Sequence, residues 1–215
     1  MRLILVRHGE TEHNRGRLTL GRFDVPMNGR GRAQARALAS SFARPPDAMY
    51  TSPLSRAAET AAIIAGAAGC RVEIEPALIE MDVGEMEHLS REELRLRYPD
   101  FLERWLSEGA ADARMPGGET LRQVQDRAWG AVGVMLEAHP HGRVVAVTHN
   151  FVILTLICRA LELPLSEFRR LRQGLAARTI VDIGTGHTTL LQLNDNAHLL
   201  AAGLGDDAVD SAARL

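Results

Sequence analysis

Apolar positions along this chain fall into two periods. Leu3 to Val6 is a continuous apolar run, the pattern of a strand buried on both faces. Val144 to Val147 repeats it, Ala48 to Thr51 is a further extended segment, and Val72 to Ile74 is a shorter strand. Between these runs the apolar residues return at helical spacing. Ala33, Ala37, Leu38 and Phe42 predict a helix to about Ala43, with Asn28 as its cap. Ser52-Pro53 predicts another, Ser as N-cap and Pro at the first helical position, running to about Ala68 before Gly69 stops it. Leu121, Val124, Ala128, Ala131, Met135 and Leu136 form the apolar stripe of a long helix from Glu119 to about His139. A further helix spans about Asn150 to Ala160, and two shorter pieces lie around Arg91 to Arg97 and Asp100 to Ser107. Thr179 to Ile183 and Thr188 to Leu193 flank Gly184-Thr185-Gly186 as a hairpin.

Strands alternating with helices predict an α/β fold: a three-layer sandwich, its mostly parallel central sheet covered by helices on both faces, with a small helical insertion at about 80–115. Residues 1–203 read as one domain, and 204–215, small, acidic and aperiodic, as a disordered tail. A length of 215 residues is enough for a sizeable core without staples. The net charge of −2 argues against a nucleic-acid partner. The first apolar run is too short for a signal peptide or a membrane span, so no membrane partner and a cytoplasmic location are expected. Cys70 and Cys158 have no CxxC spacing and read as buried thiols in preference to a disulfide or a zinc site. The oligomeric state is open, a homodimer being one option.

Three apolar strands end directly in chemistry: one in Arg7-His8, one in Thr51-Ser52-Pro53-Leu54-Ser55-Arg56, one in Thr148-His149. In open α/β sheets, ligands sit outside the carboxyl ends of the strands. Two arginines and two histidines should therefore meet at one end of the sheet, and Glu80 could join them. Taken singly, each has an ordinary explanation: a surface ion pair for Arg7 or Arg56, a structural histidine for His149, a loop acid for Glu80. Together they suit a phosphoryl group. Guanidinium forks hold phosphate oxygens bidentately, and a helix start at Pro53 would add N–H donors. A neutral imidazole is a competent nucleophile, and a carboxyl can pass a proton to the leaving oxygen and take one from water.

The segment Leu5-Val6-Arg7-His8-Gly9-Glu10-Thr11-Glu12-His13-Asn14 resembles the signature of the histidine phosphatase superfamily, also called phosphoglycerate-mutase-like. Further blocks follow in the family's order: Gly21 to Gly31, Tyr50 to Ala57 with Thr60-Ala61, Leu78 to Glu87, Pro116 to Thr120, and Val147-Thr148-His149. The resemblance implies His8 as the phosphorylated nucleophile and Glu80 as proton donor and acceptor. It implies Arg7, Arg56 and His149 as the phosphate pocket, with Asn14 and Gly21 as further substrate contacts. No metal or organic cofactor is implied. This chain departs from the family pattern at Leu20 (often Thr or Gln), His88 (commonly Gly) and Asn150 (usually Gly).

Glu80-Met81-Asp82-Val83-Gly84-Glu85-Met86-Glu87 resembles the phosphatase branch of the family, so hydrolysis of a small phosphorylated metabolite through a phosphohistidine is expected. Phosphoglycerate mutase-type transfer is the alternative. A catalytically weak phospho-ligand binding module and a metal hydrolase using His8, His13 and His149 are the competing classes. His8 and His13 lack the i, i+4 spacing of a helical metal pair. Arg15, Arg17, Arg22, Arg30 and Arg32 crowd the region after His8; most should pair with acids, while one or two could meet a second anionic group on the substrate.

Overall fold

A computed structural model describes residues 1–184 and 186–205 of the chain. Its strands are β1 (Arg2–Arg7), β2 (Ala48–Thr51), β3 (Glu73–Ile74), β4 (Arg143–Thr148), β5 (Arg178–Ile183) and β6 (Thr188–Asp195). They form one sheet in the order β3-β2-β4-β1-β5-β6. The first four are mutually parallel, β5 runs antiparallel to β1, and β6 returns against β5 as the expected hairpin.

The continuous apolar runs belong to strands covered on both sides. Along β1, Leu3 and Leu5 join one buried cluster while Ile4 and Val6 join the other. In β4, Val144 and Ala146 face the first, Val145 and Val147 the second. Each fully buried Val, Leu or Ile contributes roughly 1.5–3 kcal/mol, so both helical layers are anchored at these strands. One layer holds α2 (Gly29–Ser40) and α3 (Ser55–Ala68). The other holds α6 (Leu121–Ala138) and α7 (Asn150–Ala160), the latter buried from Asn150 through Cys158. On this second layer sit α4 (Arg91–Arg97), α5 (Pro99–Trp105) and a 3₁₀ segment, Glu108–Asp112. Trp105 of α5, stacked on Phe101, packs edge-on against Phe151 and Phe168.

Several local expectations hold and others shift. Asn28 caps α2 by accepting from Gly31 N, but the helix ends at Ser40, before Phe42. Gly69 closes α3 at φ 68° in the left-handed region. The short helices Glu12–Arg15 (α1) and Ala197–Ala201 (α8) have too few turns to show an apolar period. Both cysteines are free thiols, Cys158 buried and Cys70 half-buried. No described helix is long and apolar enough to cross a membrane. Of the tail expected from 204, residues 206–215 lie outside those described.

Candidate active site

Parallel register brings the strand ends together. Arg7 pairs with Thr148 across β1 and β4, and Thr51 with Val147 across β2 and β4. The ladder continues one bond further on each side: His8 N donates to Thr148 O at 3.1 Å, and Ser52 N to Val147 O at 2.9 Å. His8, Ser52 and His149 thus leave the sheet side by side, and the two imidazoles stand 5.2 Å apart, tilted by 57°. All three are buried.

The His8 ring is oriented by its own chain. Its Nδ1 lies 2.7 Å from Gly9 O, an acceptor, so Nδ1 carries the proton and donates. The lone pair is left on Nε2. Burial first, then the charges of Arg56 and Arg7, hold the His8 pKa well below its ordinary 6.5. This imidazole is neutral at working pH. Gly9 must be glycine: a Cβ there would lie 2.5 Å from Gly31 O and 2.7 Å from the Met27 sulfur. His149 is held at Nε2 by Ser52 Oγ, 2.7 Å away, and burial, then Arg56, His8 and Arg7, keep it neutral too.

Arg56 is fully buried in the first turn of α3. Its two terminal nitrogens donate to Gly21 O at 2.6 Å and Phe23 O at 2.9 Å. Burial pulls its pKa down to about 10, opposed by Glu80, Asp24 and Glu87, and it stays charged. Gly21 therefore meets the site as the bracket that aims Arg56; its own N–H goes to the Glu87 carboxylate at 3.0 and 3.1 Å. A Cβ on Gly21 would strike Met81 O at 2.6 Å. Arg7 is also buried and donates to Gln173 O at 2.8 Å. Buried polar atoms without a hydrogen-bond partner include Arg56 Nε and His149 Nδ1, an unusual cost unless a ligand meets them.

The start of α3 corrects the sequence reading. Leu54, not Ser52, is its N-cap, and the helix begins at Ser55. Ser52 Oγ instead accepts from Leu54 N and binds His149. The Ser55 N–H and Oγ both donate to Asp24 Oδ1 at 2.8 Å, so a carboxylate from the preceding loop already occupies this helix end. The partner of Asp24 is 31 residues away, beyond any local signal.

Glu80 lies in an irregular segment between the 3₁₀ turns Pro76–Leu78 and Gly84–Met86. Its carboxyl accepts from Met81 N at 2.8 Å and, more distantly, from Phe151 N at 3.4 Å. Burial raises its pKa against the lowering pull of those bonds and of Arg56 and Arg7. The group can therefore hold a proton at a pH where an exposed glutamate could not. Asn14 turns its Oδ1 to Thr11 N and Oγ1 in the capping box of α1.

The histidine phosphatase superfamily (branch 1) model matches residues 3–196 of the chain. The protein belongs to that family. The phosphoserine phosphatase 1 of Hydrogenobacter thermophilus is 32% identical over 200 residues, covering 93% of this chain and 94% of that protein. A probable phosphoglycerate mutase of Cronobacter sakazakii is 36% identical over 178 residues, 80% of each chain. Among solved structures, a phosphoserine phosphatase variant from Entamoeba histolytica in complex with phosphoserine superposes with a TM-score of 0.83 at 27% identity, over 92% of this chain and 98% of that one.

Within this histidine phosphatase the loop arginines mostly pair with acids. Arg22 meets Glu119 at 2.9 Å and Asp82 at 3.6 Å, Arg32 meets Glu59 at 2.6 Å, and Arg30 meets Glu10 at 3.7 Å. Arg15 and Arg17 make no ion pair among the described residues. Arg17 lines a small cavity with Asn14, Leu20, Met86, Met115 and Phe151. His88 stands at φ 66°, which explains the family's glycine there; its ring contacts His13 at 2.8 Å and packs edge-on against Phe23. His13 is thereby paired away from His8, and no group of three or more metal-binding side chains occurs among the described residues.

Proposed function

We propose that this histidine phosphatase hydrolyses a small phosphomonoester in two displacements at His8. The observation that carries the reading is the orientation of His8: Nδ1 bonded to Gly9 O, Nε2 left with its lone pair beside Arg56 and His149. In the first step the Nε2 pair attacks phosphorus, the bond to the ester oxygen breaks, and Glu80 gives that oxygen a proton. In the second, water attacks phosphorus, Glu80 recovers a proton from it, and the N–P electrons return to His8. Arg7 and Arg56 balance the charge on the phosphoryl oxygens, and the unpartnered Nδ1 of His149 is a further contact. Asn14 and Gly21 serve the substrate differently, Asn14 at the small cavity it lines with Arg17 and Gly21 through Arg56.

The relatives act on or bind phosphoserine and phosphoglycerate by name, which supports a small, polar phosphorylated metabolite. Phosphate release should be measured across a panel of such esters, with acid-labile phosphate labelling of the wild-type and His8→Ala proteins. Release and labelling by the wild type, both lost in the variant, are expected. Labelling that persists without His8 would refute the assignment, and isomerisation of phosphoglycerate without phosphate release would favour the mutase.

A further inference from the structure

Glu80 has no helix or strand to hold it, yet its segment is tightly bound. The carbonyls of Ala77, Leu78, Ile79 and Glu80 are four successive acceptors, and each meets a side chain. Arg127, from α6, donates one terminal nitrogen to Ala77 O at 2.6 Å and Ile79 O at 2.7 Å, and the other to Glu80 O at 3.1 Å. Thr148, at the end of β4, donates its hydroxyl to Leu78 O at 2.6 Å. Arg22 Nε adds a 3.3 Å bond to Glu80 O.

The two arginines are tied together by Glu119. Its carboxylate accepts from Arg127 Nε and a terminal nitrogen, both at 3.1 Å, and meets Arg22 at 2.9 Å. It also accepts from Asp82 N at 3.0 Å, while Glu119 N donates to Asp82 O at 2.9 Å. Burial works against its ionisation, but Arg127, the Asp82 N–H and Arg22 outweigh burial and keep it charged. A planar guanidinium with five fixed donors suits this arrangement, and an ammonium cannot reproduce it.

We infer that Arg127, braced by Glu119 and Arg22, is a positioning residue for the proton transfer by Glu80: it holds the Glu80 backbone where the carboxyl reaches the leaving oxygen. The inference rests on the reading of Glu80 as the proton carrier. It predicts a dependence on leaving group that loss of folding would not produce. An alkyl ester needs a proton as its oxygen departs, whereas 4-nitrophenolate leaves as a stabilised anion.

The test compares kcat/KM, which reports the first step, for 4-nitrophenyl phosphate and an alkyl phosphate in wild type, Arg127→Met, Arg127→Lys, Glu80→Gln and the double variant E80Q/R127M. For Arg127→Met the alkyl ester should lose about 10- to 100-fold, and the nitrophenyl ester less than about threefold. Arg127→Lys, which keeps the charge, should show the same bias at smaller size and serves if the methionine variant does not fold. In the Glu80→Gln background, R127M should add almost nothing. Equal losses on the two esters, or a full additional loss in that background, would overturn the positioning role. If Glu80→Gln itself lost equally on both esters, the proton-carrier reading would fall first, separately from the clamp.

Discussion

The two halves of the candidate site are built by different means. His8 and Ser52 extend the backbone ladder of β1 and β2 against β4, His149 follows β4 directly, and Arg56 sits in the first turn of a helix packed beneath them. Their positions come from main-chain hydrogen bonds and a core buried on both faces of the sheet. Glu80 belongs to a segment with no regular structure, held by arginine and threonine side chains on its carbonyls. On the proposed reading, the half that would bind phosphate rests mainly on the sheet, with the loop carbonyls of Gly21 and Phe23 aiming Arg56, and the half that would carry the proton rests on side-chain bonds to an irregular segment. The first should fail at its own residues and at the close-packed Gly9 and Gly21; the second should also be sensitive at a distance, at Arg127.

Substitutions can break that contrast. His8→Ala should reduce turnover on the order of 10⁴-fold and abolish phosphate labelling, with little change in melting temperature; residual turnover within tenfold of wild type would rule out covalent catalysis at His8. Glu80→Gln should slow alkyl ester hydrolysis by about 10²- to 10³-fold with little change in substrate binding. It should also remove the alkaline limb of the kcat/KM profile, which reports a carboxyl whose burial-raised pKa keeps it protonated above the usual range; an unchanged limb would assign it elsewhere.

Smaller effects sharpen the comparison inside the rigid half. Ser52→Ala removes the 2.7 Å partner of His149 and should lower kcat by about tenfold, equally for good and poor leaving groups; a leaving-group bias would place His149 in proton transfer. Arg17→Ala should weaken a substrate with a second anionic group by about threefold and leave a substrate with an uncharged leaving group unaffected. Arg22→Ala, its charge already met by Glu119 and Asp82, should not discriminate between them. Finally, His8 and His149 are held neutral, with pKa values well below 6.5 in the folded chain. Below 6.5 the unfolded chain binds protons there that the folded chain does not, so stability falls as pH drops through that value. Melting curves should show this loss, and His8→Gln should make it shallower.

Much of this was legible from the residues in order. The continuous runs Leu3–Val6 and Val144–Val147 announced strands covered on both faces, because burial of every side chain leaves no room for alternation. Chemistry following directly on those runs placed His8 and His149 at one end of the sheet, since parallel strands end together. The family resemblance then gave Glu80, a candidate that no periodicity marks, its expected role as proton donor and acceptor. Ser52 shows the limit: Ser-Pro before a helix reads as a cap, but the hydroxyl is within reach of His149, 97 positions away, Leu54 is the N-cap, and Asp24 meets the first N–H of the helix.

Sequence alone thus determined the strands, the longer helices and which residues are candidates for phosphoryl chemistry, because local period and side-chain type are written along the chain. Only the tertiary structure decided which nitrogen of His8 is left free, which carbonyls aim Arg56, and that Arg127 grips the segment of Glu80. Those are contacts across 33 to 50 positions, or a proton placed by a neighbouring carbonyl. Hydrogen-bond partners at such range follow from where the packed core brings backbone and side chains, which no local pattern records.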